Sequence, residues 1–253
     1  VKTRLAIASL LSASLLTPAI SYACSRAVYF GKEGQTVTGR TMDWFEADLR
    51  SNIWLYPRGL TRNSNTAKAV IWKSKYGSLV TTLYEGASAD GMNEKGLVAN
   101  LLYLPESKYP EASAGDARPT LANSAWVQYV LDNYATVAEA VSDLKKESFR
   151  MVAIKAPTGE PGTVHLSISD ASGDSAIFEY LDGKLVIHHG RQYQVMTNSP
   201  TFASNWPSTP TGRASAARPS CPAPTAHRIA SCALPSTSTR PSSLPIHAPR
   251  SPP

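Results

Sequence analysis

Residues 20–44, ISYACSRAVYFGKEGQTVTGRTMDW, place the first cysteine of the chain, Cys24, directly after the small-residue string Ser21-Tyr22-Ala23. Upstream, Lys2 and Arg4 form a short basic region and residues 6–16 are mostly apolar. A basic start, a short apolar run and small residues before a cut are the layout of a secretory signal peptide. The run is too short for a transmembrane helix, and no later segment approaches about 18 consecutive apolar residues. The expectation is a signal peptide over residues 1–23 and a periplasmic or secreted protein beginning at Cys24, with no stable membrane insertion after processing. Val1 in place of Met marks an alternative initiation codon or a fragment edge.

A cysteine in this place has a rival reading, a lipid-anchored envelope protein modified at Cys24. Lipidation signals carry Leu three positions and a small residue two positions before the cysteine, where this chain has Ser21 and Tyr22. A disulfide is the other ordinary use of cysteine in an exported protein. The remaining thiols, Cys221 and Cys232, fall in a tail of aberrant composition.

Cleavage before Cys24 would free an α-amine beside a thiol. A thiol titrates near ~8.5 and an α-amine near ~7.7–8.0, so proton transfer between them is almost balanced. The amine can take the thiol proton and return it to a leaving amine, as general base and then general acid. Such a residue needs no histidine partner. His188 and His189 are adjacent on an expected strand and so face opposite ways, and His165 alternates with apolar neighbours. No Cys/His spacing suggests a metal, and no cofactor is implied.

The residues after Cys24 read as a strand, a tight turn over residues 31–34 (GKEG) and a return strand. The return brings Arg40 and Asp43 toward Cys24. An arginine there favours a thiolate by charge, and an aspartate can hold the amine; the plain alternative is two polar residues at a strand end. Cysteine, Arg sixteen residues on and Asp-Trp three further resemble the choloylglycine hydrolase and penicillin V acylase family of N-terminal-nucleophile amidohydrolases. YPRG at residues 56–59, DGMNEKGLVANLLYLPES at 90–107 and VMTNSPTF at 195–202 are similar to segments of that family in the same order.

The resemblance implies Cys24 as nucleophile, with Arg40 and Asp43 tuning and orienting it. It also implies an oxyanion site from the Asn198 side chain and the backbone N–H of Tyr103. Donors aimed at the developing charge are usually worth roughly 2.7–4 kcal/mol each. Tyr103 stands where the bile-salt branch typically has Asn and penicillin acylases often have Tyr. Trp44 lines the acyl pocket on this reading, or is a large core residue.

Residues 78–84 and 97–104 are apolar and strand-length; 122–133 and 136–147 place apolar residues three or four apart, as helices do. TVHLSISD at 163–170 alternates, and FEYLDGKLVIHH at 178–189 is a hairpin turning at Asp182-Gly183. Pattern alone supports an α+β domain. The resemblance implies a four-layer αββα N-terminal-nucleophile hydrolase sandwich over residues 24–202, C-terminally incomplete.

From residue 203 the composition changes: 11 prolines, 10 serines and five arginines in 51 residues, without Asp, Glu or Lys. Such a segment cannot bury a core. It also creates the apparent basicity of the chain. Without the tail and the leader, 18 basic residues face 19 acidic ones against a whole-chain charge of +6. Nucleic acid is therefore excluded as a partner. Inserting one base into the Ala203 codon can turn ASNWPSTPTG into Asp-Gln-Gln-Leu-Ala-Ile-Asn-Ala-Tyr-Trp, an amphipathic and family-like continuation. The same shift over residues 221–240 can yield a family-like Arg-Phe-Val-Arg stretch. The tail at 203–253 is accordingly expected to be out of frame and disordered, and the 253-residue chain an inactive remnant.

The activity these readings converge on is hydrolysis of a linear amide joining a fatty or aromatic acyl group to an amine. The small-molecule candidates are penicillin V, N-acyl homoserine lactones and conjugated bile salts, in falling order. The resemblance is compatible with a homotetramer for an intact version.

Overall fold

A computed structural model describes residues 23–44, 46, 48–155, 159 and 162–205. The proposed leader, apart from Ala23, and nearly all of the Pro/Ser-rich tail lie outside the described residues. The opening hairpin is β1 (Ser25–Phe30) and β2 (Thr36–Thr41), paired antiparallel from Ser25↔Thr41 to Phe30↔Thr36. Gly34 takes a φ of 82° in the connecting turn, a conformation that costs a glycine little.

Ten further strands and two helices follow this hairpin before β13 and the strand that completes its sheet. They are β3 (Asn52–Tyr56), β4 (Thr61–Asn63), β5 (Ile71–Lys73), β6 (Ser78–Leu83), β7 (Ala87–Asn93), β8 (Val98–Tyr103) and β9 (Thr120–Ala122), then the helices α1 (Trp126–Asn133) and α2 (Val137–Leu144), then β10 (Arg150–Val152), β11 (Val164–Ser169) and β12 (Ser175–Leu181). β13 (Lys184–His189), β14 (Val195–Thr197) and the short helix α3 (Phe202–Asn205) follow.

Two sheets carry the architecture. The larger has seven strands in the order β13-β12-β11-β8-β7-β6-β3, and the smaller has three in the order β14-β1-β2. The expected strands and helices are present, except that the helix expected from residue 122 begins at Trp126, because Ala122 ends β9 and residues 123–125 form a 3-10 turn. The β12–β13 turn has Asp182 and Gly183 at φ 48° and 77°, the positive pair that a two-residue hairpin turn requires. α2 begins as its sequence dictates: the Thr136 side chain accepts the Glu139 N–H.

The larger sheet has one apolar and one polar buried face. Val80, Ala99, Leu166, Ile168 and Phe178 point to the helices, where Trp126, Val127, Val130, Leu131, Val137 and Ala140 complete the main core. Gly91 on β7 permits this approach, because a Cβ there would lie 2.7 Å from both Leu131 Cδ1 and Leu79 O. The opposite face meets the three-stranded sheet through polar contacts, including Thr38 Oγ1 to Ser169 Oγ at 2.8 Å and Arg26 to Ser175 Oγ at 3.2 Å. The described residues thus stack as helices, sheet, sheet. The outer face of the small sheet leaves Tyr29, Val37 and Val195 exposed, and no second helical layer covers it among the described residues. No described helix is long and apolar enough to cross a membrane.

Candidate active site

Cys24 sits at the start of β1 and is buried, at 2% exposure, in a small cluster with Leu102, Ile177 and Met196. Strand pairing explains which groups reach it. β1 runs between β2 and β14, with Ser25 opposite both Thr41 and Thr197. One step further along each neighbour places Met42 and Asn198 beside Cys24. The Asn198 amide satisfies both its ends when Oδ1 accepts the Cys24 N–H at 3.2 Å and Nδ2 donates to Tyr103 O at 3.3 Å. The Cys24 thiol donates to the Asp43 carbonyl oxygen at 3.6 Å. Cys24, Asp43, Tyr103 and Asn198 therefore converge, although they lie far apart in sequence.

The Asp43 carboxylate is turned to Thr41, whose hydroxyl donates to it at 2.9 Å and also accepts the Ser25 N–H at 3.1 Å. Asp43 thus reaches β1 through Thr41, while its backbone meets the thiol. Arg40 stands directly opposite Arg26, two pairs below Cys24. Its guanidinium pairs with Asp90 and donates to Leu101 O at 3.0 Å. Asp90 also accepts from Asn100 at 2.9 Å. Burial nevertheless pushes the Asp90 carboxyl above its ordinary value, against the pull of Arg40 and Asn100. Trp44 is half-buried, edge-on to Tyr103 at 5.5 Å between ring centroids, with its N–H donating to Tyr84 OH at 3.0 Å. It borders the site and is not part of either buried cluster.

Three features of this region were not singled out from sequence. Arg26, on the same face of β1 as Cys24, is wholly buried; its Nε and second terminal nitrogen have no partner, and no described carboxylate is within ion-pair distance. Burial lowers its pKa to about 10. Period-2 alternation from Cys24 would have placed it inside. Asp90 was quoted only as part of a longer motif. Glu179 has no local signal beyond being an acid in an apolar strand. Two surface cavities of about 520 and 740 Å³ lie elsewhere, around Arg62 and Gln128 and around Lys68 and Arg150; neither is lined by Cys24. Among the described residues no cluster of His, Cys, Asp and Glu is placed to hold a metal.

The two stacked sheets are the fold of the N-terminal-nucleophile hydrolases, and a buried thiol heads one of their strands with its own N–H facing an asparagine oxygen. The chain belongs to the linear amide C–N hydrolases of the choloylglycine hydrolase family, whose model matches residues 24–225. It is 48% identical over 202 residues to a penicillin V acylase of Pectobacterium atrosepticum, an overlap of 76% of this chain and 53% of that protein. A bile salt hydrolase/transferase of Clostridium perfringens is 30% identical over 183 residues, covering 71% and 54%. Among solved structures, a penicillin V acylase from Agrobacterium tumefaciens superposes with a TM-score of 0.65 at 53% identity, covering 72% of this chain and 54% of that one. A mutant conjugated bile acid hydrolase from Clostridium perfringens gives 0.61 at 27%, covering 72% and 55%. The chain spans about half the length of the relatives it matches.

Proposed function

We propose that the chain carries the nucleophile half of an exported acylase that cleaves a linear amide, with Cys24 as the N-terminal residue of the processed form. The observation that supports this most is the pairing of the Cys24 nitrogen with Asn198 Oδ1. Cleavage after Ala23 would turn that N–H into an α-amine already oriented by an acceptor.

In the proposed reaction the α-amine takes the thiol proton and Cys24 Sγ adds to the amide carbonyl. The oxyanion is stabilised by Asn198 and the Tyr103 backbone N–H. The C–N bond then breaks, and the leaving amine departs with the proton held by the α-amine. Water, deprotonated by the same amine, adds to the thioester, and the C–S bond breaks to release the acid and restore the thiol.

The substrate reading is an aromatic or fatty acyl amide. Penicillin V comes first, because the more similar relatives are penicillin V acylases and because the Trp44–Tyr103 aromatic pair adjoins Asp43 and Asn198, which contact Cys24. N-acyl homoserine lactones and conjugated bile salts follow.

The test is a chain extended to the length of its relatives. The wild type, a Cys24→Ser variant and a variant whose cleavage after Ala23 is blocked are compared for penicillin V hydrolysis and by intact mass. The wild type should begin at an unmodified cysteine and turn over. Both variants should lose at least a hundredfold, since a hydroxyl is a far weaker nucleophile and a peptide nitrogen cannot act as base. Substantial turnover by the uncleaved variant, or a lipid mass on Cys24, would refute the reading.

A further inference from the structure

Glu179 is a wholly buried carboxylate on β12 that none of the proposed chemistry uses. It lies on the polar face of the large sheet, the same face as Ile177, which packs with Cys24. His165 Nδ1 is 3.1 Å from Oε1 and His188 Nε2 is 3.4 Å from Oε2. The Phe202 backbone N–H donates to both oxygens, at 3.0 and 3.2 Å. Burial works against ionisation here, yet these groups hold the carboxyl down at about 2, so it stays charged.

The Phe202 contact matters because of what precedes it. Asn198, the side chain that faces Cys24, belongs to the six residues 197–202 that leave β14 and enter α3. One end of this arm is fixed by the pairing of Thr197 with Ser25. The other end is fixed by the Glu179 carboxylate on the Phe202 N–H. The Phe202 ring adds a packed contact, with centroids 4.8 Å from the His188 ring and 5.2 Å from Tyr193. Hydrogen bonds to an ionised acceptor are the strong ones, and this one is shielded from water.

We infer that Glu179 is a positioning residue for the oxyanion site: by tethering Phe202, with His165 and His188 holding the carboxylate in place, it sets where the Asn198 amide stands relative to the Cys24 thiol. The inference rests on the reading of Cys24 as nucleophile and Asn198 as oxyanion donor.

The test needs a thiol reaction that builds an oxyanion and one that does not, each counted as a single event per thiol. Acylation by p-nitrophenyl phenoxyacetate forms the Sγ–C bond and expels p-nitrophenolate through a tetrahedral oxyanion. Alkylation by iodoacetamide displaces iodide and makes none. Both rates are measured at Cys24 of the 253-residue chain by peptide mass. Glu179→Gln removes the charge at nearly constant shape. Phe202→Pro removes the donated N–H at the first helical position, where proline is tolerated, together with the ring packed on His188 and Tyr193, and so cuts both parts of the tether while Glu179 itself is unchanged. In each variant acylation should slow at least tenfold while alkylation stays within twofold. Equal acylation in variant and wild type overturns the inference, and so does a matched fall in both rates, which signals lost structure and not lost positioning. A wild-type chain that acylates no faster than in concentrated urea removes the nucleophile reading itself, and the inference falls with it.

Discussion

Replacing Arg26 by methionine should stabilise the folded chain. The guanidinium is fully enclosed between the sheets, makes one hydrogen bond to Ser175, and has no acidic partner among the described residues. Loss of hydration brings its pKa down to about 10. At about 1.4 kcal/mol per pH unit, that fall from the ordinary arginine value corresponds to about 3 kcal/mol set against folding at neutral pH. The sign is that of a buried base: between pH 10 and its ordinary pKa the unfolded chain binds more protons, so stability rises with pH there and the penalty is complete below. Methionine keeps a similar unbranched apolar volume and needs no solvation. The change forfeits one hydrogen bond, worth about 1 kcal/mol. Ser175 Oγ keeps its contacts to the Ile168 and Tyr193 carbonyls at 3.0 and 2.7 Å. The net expectation is a gain of about 2 kcal/mol, or a rise of roughly 1 M in the urea midpoint for a domain of this size. Equilibrium unfolding followed by tryptophan fluorescence measures it. A lower midpoint in Arg26→Met than in wild type would refute the reasoning and show that the charge is compensated.

Gly91→Ala should destabilise by about 1–3 kcal/mol, the usual range for overpacking, because the new methyl meets backbone Leu79 O and Leu131 at 2.7 Å; an unchanged melting temperature would count against the tight seat of α1 on β7. Glu179 should contribute stability above its unfolded pKa that is lost as pH falls from the ordinary glutamate value toward about 2; acid titration by circular dichroism should show a shallower acid limb in Glu179→Gln, and identical limbs would contradict the depressed pKa. Restoring one base at the Ala203 codon should raise the melting temperature and yield penicillin V hydrolysis absent from the 253-residue chain, since Leu55, Leu79 and Met92 form an exposed apolar row across β3, β6 and β7; equal melting and equal activity in the two proteins would mean that the tail is native.

Much of the fold was legible because its signals are local. The β1–β2 and β12–β13 hairpins turn at glycines that need positive φ, and α2 starts at a threonine cap. Strand alternation in residues 163–170 marked both faces of β11 without revealing what each would meet. The hairpin pattern already brought Asp43 toward Cys24, whereas Tyr103 and Asn198 came from the family resemblance, since no local rule links residues joined only by sheet order. The partners of the site were hidden for the same reason. Arg40 finds Asp90 across 50 residues, and Glu179 finds Phe202 through a turn whose path no propensity specifies.

The two buried faces of the large sheet differ in character, one apolar and one largely polar. On the helix face, Leu166, Ile168, Ala176 and Phe178 are fully enclosed by apolar side chains, and burial there is favourable at about 25 cal/mol per Å². On the other face the same strands present His165, Ser167, Ser169, Ser175 and Glu179, also almost fully buried. Arg26, Asn100, Ser167 and His165 each keep at least one polar atom without a protein partner. Every such atom costs about 1–3 kcal/mol, so this layer opposes folding while the helix face drives it. Within this layer Cys24 itself packs on Leu102, Ile177 and Met196, so the polar side chains flank the thiol and do not form its floor. Substitutions toward apolar residues should therefore stabilise the chain most where they disturb the Cys24–Asn198 geometry least. Arg26, which bonds to neither, is the position where the two effects separate most cleanly.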